Sequence, residues 1–328
     1  MREGALVMKT LDLHPNSLPF YEEGITVCIG FFDGFHRGHL ELLKCAKRLP
    51  YRVAMMTFEV GNGNIKRQKA YLTSREDKSA WFSHFGADEE WIFQLDEIKD
   101  QSPLAFVEML KKINVKEVVV GRDFTFGKKA LGKAEDLMHL AGNHFHTHIV
   151  DLLEENGKIS SSRIRSEILS GQLIEATTHL GHPYFIKGKV TRGLQNGRKM
   201  GFPTANISLQ FPYLLPPVGV YGVWVYYQGK KYPAMANIGT HPTIDPLKKA
   251  ILEIHLFDFH QEIYDEPLVI AFVFFLRPEK KFASLEDLEE ELSRNREEIY
   301  SRLENLESNR IHTSDENWKM VDAIFKKK

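Results

Sequence analysis

Ten residues near the amino terminus, Gly30-Phe31-Phe32-Asp33-Gly34-Phe35-His36-Arg37-Gly38-His39, combine the residue types that handle phosphate. Glycines let a ligand approach backbone N–H groups closely, and two imidazoles three residues apart can donate from one turn. The run follows Ile25-Thr26-Val27-Cys28-Ile29, which reads as a buried strand. It precedes Leu40 to Leu49, where apolar residues recur at helical spacing without Gly or Pro. The motif thus sits where a strand hands over to a helix N-terminus, whose unsatisfied N–H groups and dipole attract anions. The chemistry expected there is nucleotide binding, with His36 and His39 as donors to phosphate.

A second group lies in the other half of the chain. Gly188, Lys189, Gly193, Arg198 and Gly201 mix glycine with cations, a composition able to cradle phosphate without a Walker motif. Thr204 and Asn206 alternate along an extended segment, so their oxygens share a face, as a hard Mg²⁺ ion requires. Glu253 and His255 share a strand face in the same way, which lets an acid point into a site. Between the groups, Lys158 to Arg165 offers the hydroxyls of Ser161 and Ser162 at a helix start and the planar fork of Arg165 one turn later. Gly121 to Gly127 sets Phe124 and Phe126 near Asp123, suited to a stacked ring with polar edges. Gly127 to Ala134 is one residue short of a P-loop. Ala134 lacks the hydroxyl that would ligate Mg²⁺, so a basic flexible loop is expected there.

The elements that must carry these residues change character along the chain. Strands are expected over 25–31, 52–58, 90–93, 117–120 and 146–150, with helices over 76–84 and 103–113 between them, an alternation that predicts a parallel sheet covered on both faces. Ligands bind such sheets beyond the carboxyl ends of the strands, where Gly30 to His39 falls. After Gly181, β-type runs over 185–191, 219–228, 231–238, 252–259 and 268–276 follow one another with Gly and Pro between them, which predicts an antiparallel barrel or sandwich. A closing helix is expected from Ser284 to about Leu306, begun by a Ser284/Asp287 capping box. Its leucines at 285, 288, 292, 303 and 306 form one stripe, interrupted by Asn295 and Arg302. At 328 residues two domains are the default. A formal net charge of −1 gives no case for nucleic-acid binding. Cys28 and Cys45 lie in expected core elements and read as small hydrophobes. Neither a leader nor a membrane-spanning run is apparent, so a cytoplasmic setting is expected.

These motifs carry a resemblance. Gly30 to His39 resembles G-[FY]-F-D-G-x-H-x-G-H of flavin-adenylylating nucleotidyltransferases. Lys158 to Arg165 resembles their I-S-S-[ST]-x-I-R, and Gly121 to Gly127 their flavin-contacting G-x-[ND]-F-x-[FY]-G. Gly188 to Gly193 with Asn196 to Asn206 resembles the riboflavin kinase signature, including G-R-x-x-G-[FY]-P-T-A-N. Asn237 to Thr243, Leu252 to Phe259 and Leu276 to Phe282 resemble its later segments, with His241 where a longer cation is usual. From Ile25 to Phe282 the order and content resemble the bacterial bifunctional riboflavin kinase/FMN adenylyltransferase family.

The resemblance implies an α/β Rossmann-like nucleotidyltransferase domain over 1–180 and an antiparallel β-barrel kinase domain with a C-terminal helix over 181–328. It implies phosphorylation of riboflavin to FMN and adenylylation of FMN to FAD, with Mg²⁺ accompanying ATP, and FMN and FAD as products rather than prosthetic groups. Glu253 would be the general base, and His36 and His39 would stabilise the adenylyl transition state. ATP and its phosphates would contact Gly30, Phe32, Asp33, Gly34, Gly38, Ser161, Ser162 and Arg165 in one reaction. They would contact Gly188, Lys189, Gly193, Arg198 and Gly201 in the other. Asp123, Phe124, Phe126 and Arg277 would contact flavin, and Thr204 and Asn206 the metal. Asp33 is left with two readings, holding the turn or lying near a metal. The expected partners are riboflavin, FMN and ATP, with no nucleic acid and no membrane, in a monomer or weak homo-oligomer. One departure stands out. The family's T-F-x-P-H-P becomes Thr57-Phe58 followed by Glu59 to Asn64, without the His or either Pro. This keeps open a riboflavin kinase whose adenylyltransferase domain is weak or inactive.

Overall fold

Every residue of the apolar run Ile25–Ile29 (β2) is buried, as a central strand covered on both faces requires. The computed structural model describes residues 8–60, 70–151, 153–192, 203–240 and 250–311. It divides into two units, 1–69 with 73–160, and 70–72 with 161–328.

In the first unit, β1 (Lys9–Leu13), β2, β3 (Val53–Glu59), β4 (Glu89–Gln94), β5 (Val115–Gly121) and the strand His146–Val150 form one sheet. The order is β1, β4, β3, β2, β5 and then His146–Val150, and every pairing is parallel. The chain runs outward from β2 through β3 to β4 and then returns to β5 on the other side of β2. The switch point lies between β2 and β5, and the motif after Ile29 emerges beside it. The helices α1 (Arg37–Ala46), α2 (Arg75–His84), α3 (Leu95–Ile98), α4 (Pro103–Ile113) and α5 (Ala134–Ala141) make the crossovers. Their ends are locally encoded. Ser74 and Asp77 form a reciprocal capping box on α2, and Ser102 caps α4 ahead of Pro103. Asn114 ends α4 in the left-handed conformation at φ 66°.

The second unit opens with α6 (Ser161–Leu169) and α7 (Leu173–Leu180). Six antiparallel strands follow: Tyr184–Thr191, Ala205–Leu209, Gly219–Tyr227, Lys230–Thr240, Ala250–Leu256 and Pro267–Arg277. They close into a barrel, which removes every sheet edge. A closing helix spans Leu285–Ile311, with Asp287 N donating to Ser284 Oγ at 3.1 Å. Among the described residues no helix is long and apolar enough to cross a membrane.

Several expectations need correction. Lys9–Leu13 is a strand, but its mixed residues and mostly exposed edge position give no periodic signal. Ala205–Leu209 is likewise a barrel strand. The expected flexible loop at Gly127 to Ala134 is a two-stranded ribbon, Thr125–Phe126 against Gly132–Lys133, that runs into α5. On the closing helix Leu285 is exposed, whereas Asn295 is buried within the stripe because Arg277 Nε donates to its Oδ1 at 3.2 Å.

Gly188 lies inside the strand Tyr184–Thr191 rather than in a loop. A Cβ there would stand 2.2 Å from Ile207 Cγ2 and 3.1 Å from Ser208 O. The glycine therefore serves close strand approach. Gly188→Ala is expected to cost about 1–3 kcal/mol through overpacking, read as a lower Tm for the barrel by calorimetry.

Candidate active sites

The turn after β2 is held in an unusual backbone shape. Phe32 and Phe35 have φ of 53° and 35°, a region that costs bulky side chains of order 1–3 kcal/mol. Burial holds them there: the Phe32 ring packs edge-on against Phe82 and His39, and Phe35 packs on Trp81, Phe82 and Phe85. Phe32 is fully buried, so it can offer a phosphate only backbone atoms. Asp33 Oδ1 accepts from Thr73 N at 3.2 Å and Thr73 Oγ1 at 3.3 Å, and Gly34 N donates to Thr73 Oγ1 at 3.0 Å. These bonds favour the turn-holding reading of Asp33.

His36 caps α1, its Nδ1 accepting from His39 N at 3.4 Å, which leaves the ring proton of the neutral form on Nε2. A Cβ on Gly38 would crowd the His36 ring at 3.2 Å. The two imidazoles stack with centroids 3.6 Å apart. Burial, reinforced by the nearby His36 and Lys78 charges, holds the His39 pKa well below the ordinary histidine value. Its Nδ1 is buried without a hydrogen-bond partner among the described residues. Phe31, beside them, is 48% exposed and leans on Phe58 at 5.3 Å.

The carboxyl ends of neighbouring strands bring further groups to this edge of the sheet. Asp123 follows β5 and accepts from Lys158 Nζ at 2.6 Å, and Arg37 pairs with Glu155. Phe124 and Phe126 stack at 5.8 Å, but Phe126 is buried against Phe106 in the core. Only Phe124, half-buried, has ring surface to offer a ligand. Sequence proximity could not separate a core ring from a site ring two residues away.

The barrel assembles its candidates by register. Thr191 opposes Asn206, Asn206 opposes Glu253, Glu253 opposes Asn237, Asn237 opposes Val220, and Val220 opposes Arg277. Directly opposed residues point to the same face, so one mostly polar row crosses all six strands. Glu253, half-buried, stands between two asparagines. The absence of a side chain at Gly239 makes room for Glu279, whose Oε1 would lie 2.5 Å from a Cβ there. Asn237 and Glu279 belong to the quoted motifs, but the motifs alone do not mark them as site residues: cross-strand register sets Asn237 opposite Glu253, and packing sets Glu279 against Gly239. Arg277 is turned to the closing helix, with Nε 3.1 Å from Glu291 Oε1. Lys189 Nζ stands 3.6 Å from Asp265.

Next to this row, a cavity of about 270 Å³ is lined by Pro203, Thr204, Leu256, Phe259, Gln261 and Tyr264, among others. His255, buried, anchors its rim through Nδ1 to Pro203 O at 2.9 Å, and burial lowers its pKa. Ser161, Ser162 and Arg165 lie in the first turns of α6 in the second unit, where Arg165 donates to Ala70 O. Gly193, Arg198 and Gly201 lie outside the described residues, as do Gly61 to Asn64 and His241.

Known sequences agree with both constellations. The riboflavin kinase family matches residues 180–303 and the FAD synthetase family residues 19–163. A bifunctional riboflavin kinase/FMN adenylyltransferase from Listeria monocytogenes is 37% identical over 313 residues, spanning 92% of this chain and 100% of the relative. The protein of the same description from Bacillus subtilis is 34% identical over 314 residues, spanning 91% and 99%. A solved structure from Streptococcus pneumoniae, described as a macrolide-efflux protein, superposes with a TM-score of 0.80 at 30% identity. It covers 88% of this chain and 98% of that one.

Proposed function

The chain belongs to the bifunctional riboflavin kinase/FMN adenylyltransferase family, and we propose how its residues divide the work. It phosphorylates riboflavin to FMN and adenylylates FMN to FAD, using ATP in both steps.

Phosphorylation is assigned to the barrel. Glu253 accepts the proton of the riboflavin 5′-hydroxyl as that oxygen attacks the γ-phosphorus of ATP. The observation that carries this assignment is its place in the polar row, between Asn206 and Asn237, two neutral partners that leave it free to take a proton. Mg²⁺ enters as Mg·ATP. An ion of that kind keeps several waters and needs only one or two protein oxygens, so Thr204 and Asn206 suffice as donors and no carboxylate cluster is required. The cavity beside Thr204 takes the adenine, with Ile254, Leu256 and Phe259 as its apolar walls.

Adenylylation is assigned to the turn after β2. An FMN phosphate oxygen attacks the α-phosphorus of ATP in line and pyrophosphate leaves. The protein's part is to orient the groups and stabilise their charge, through backbone N–H groups of the turn and the ring donors of His36 and His39. Phe124 and Asp123 are the flavin contacts on this unit. Adenylylation is assigned to residues 1–180 and phosphorylation to 181–328, a division supported by the riboflavin kinase match over 180–303. The reading includes action in the cytoplasm, by a monomer or weak homo-oligomer.

The test is a pair of separate assays: ADP formed from riboflavin and Mg·ATP, and pyrophosphate formed from FMN and Mg·ATP. A change at Glu253 should remove the first and spare the second, and a change at His39 the reverse. If either change removes both, the division of labour is wrong.

A further inference from the structure

Among the described residues Lys78 is the only buried lysine or arginine. It extends from α2 toward β3, where its Nζ donates to Thr57 Oγ1 at 3.0 Å. That hydroxyl, itself buried, donates in turn to the carbonyl of Phe31 at 3.2 Å. Two bonds thus join a buried ammonium to the backbone of the phosphate turn. An ammonium has three N–H donors, and a single neutral hydroxyl is its hydrogen-bond acceptor among the described residues.

Charged groups face it from every side without closing on it. Asp33 approaches from the turn, Glu59 from the end of β3 and Glu90 from β4, each attracting the cation from beyond ion-pair distance. Arg75 on its own helix repels it, and Lys78 in turn disfavours a proton on His39 of α1. Burial is the largest influence on Lys78 and lowers its pKa, while burial also raises the Glu90 carboxyl. Keeping such a group costs stability, since an apolar side chain of similar volume would fill the space without desolvating a charge.

We propose that Lys78 is a positioning residue for adenylyl transfer, fixing the Gly30–Gly34 turn through Thr57 and setting a positive charge behind it. In that reaction the bond from the FMN phosphate oxygen to the α-phosphorus forms. The bond from the α-phosphorus to the bridging oxygen breaks, and its electron pair leaves with pyrophosphate. Negative charge therefore grows on the side of the nucleotide that the turn must hold, and a fixed cation in a dry site lowers its energy without reorganising. The inference rests on the assignment of adenylylation to the first unit.

Lys78→Met keeps the volume and removes the charge. The expected result is a fall of about thirtyfold in kcat/KM for Mg·ATP in FMN adenylylation, smaller than the loss on removing a direct donor. Riboflavin phosphorylation should be unchanged and Tm equal or higher. The His39 ring protons, followed by NMR, should titrate at higher pH than in the parent, because a repelling charge has gone. A rate within twofold of the parent, or a His39 titration that does not move, overturns the proposal. A parent that makes FMN but no FAD overturns the assignment of the first unit, and the proposal with it. If the Met variant does not fold, Thr57→Val tests the same relay with the cation retained: a loss of about fivefold or more in adenylylation supports it, and an unchanged rate overturns it.

Discussion

Glu253→Gln should lower riboflavin phosphorylation by about 10³-fold, roughly 4 kcal/mol in the transition state, while FMN adenylylation continues at the parent rate. Glutamine has the size and shape of the carboxylate it replaces. It can still meet Asn206 and Asn237 across the sheet, so the barrel is left as it was. What it cannot do is accept the 5′-hydroxyl proton. The effect should therefore fall on kcat, with KM for riboflavin and for Mg·ATP little changed, because binding is left intact. ADP formation coupled to riboflavin measures it. A loss below tenfold would mean that another group takes the proton.

His39→Ala should lower pyrophosphate release from FMN and Mg·ATP by about 10²–10³-fold, the usual cost of removing one preorganised donor from a site of this kind. The helix cap survives, since it is the backbone N–H of His39 that meets His36. Riboflavin phosphorylation should not change. In the parent, burial keeps the His39 imidazole neutral well below the ordinary value of 6.5, so the pH profile of FAD formation should show no inflection there from this residue. An adenylylation rate within threefold of the parent would remove His39 from the reaction.

Much of this protein was legible in its sequence because the decisive signals are local. The strand, turn and helix around Gly30 to His39 are specified by a five-residue apolar run, glycines at the turn and helical spacing after it. The expected strands and helices lie within about two residues of those observed at most positions, including Pro103–Ile113 and His146–Val150 without change. Motif order named both reactions. Edge strands were harder, because Lys9–Leu13 buries one side chain and so needs no apolar alternation.

What the sequence determined by itself was the inventory: which chemistries are present, on which element types, in what order. The tertiary structure decided which members of that inventory face a ligand. Phe124 and Phe126 read alike in sequence, but packing against Phe106 takes Phe126 into the core. Gly188 read as part of a phosphate cradle, but the approach of Ile207 makes it a packing glycine. Asn237 stands opposite Glu253, and Glu279 reaches Gly239, only because folding brings together residues far apart along the chain. Lys78 carried no signal at all, since a lysine in a polar helix looks solvated until the sheet closes over it. The physical reason is common to all four. Local propensity depends on near neighbours along the chain, whereas burial and register depend on contacts that exist only after folding.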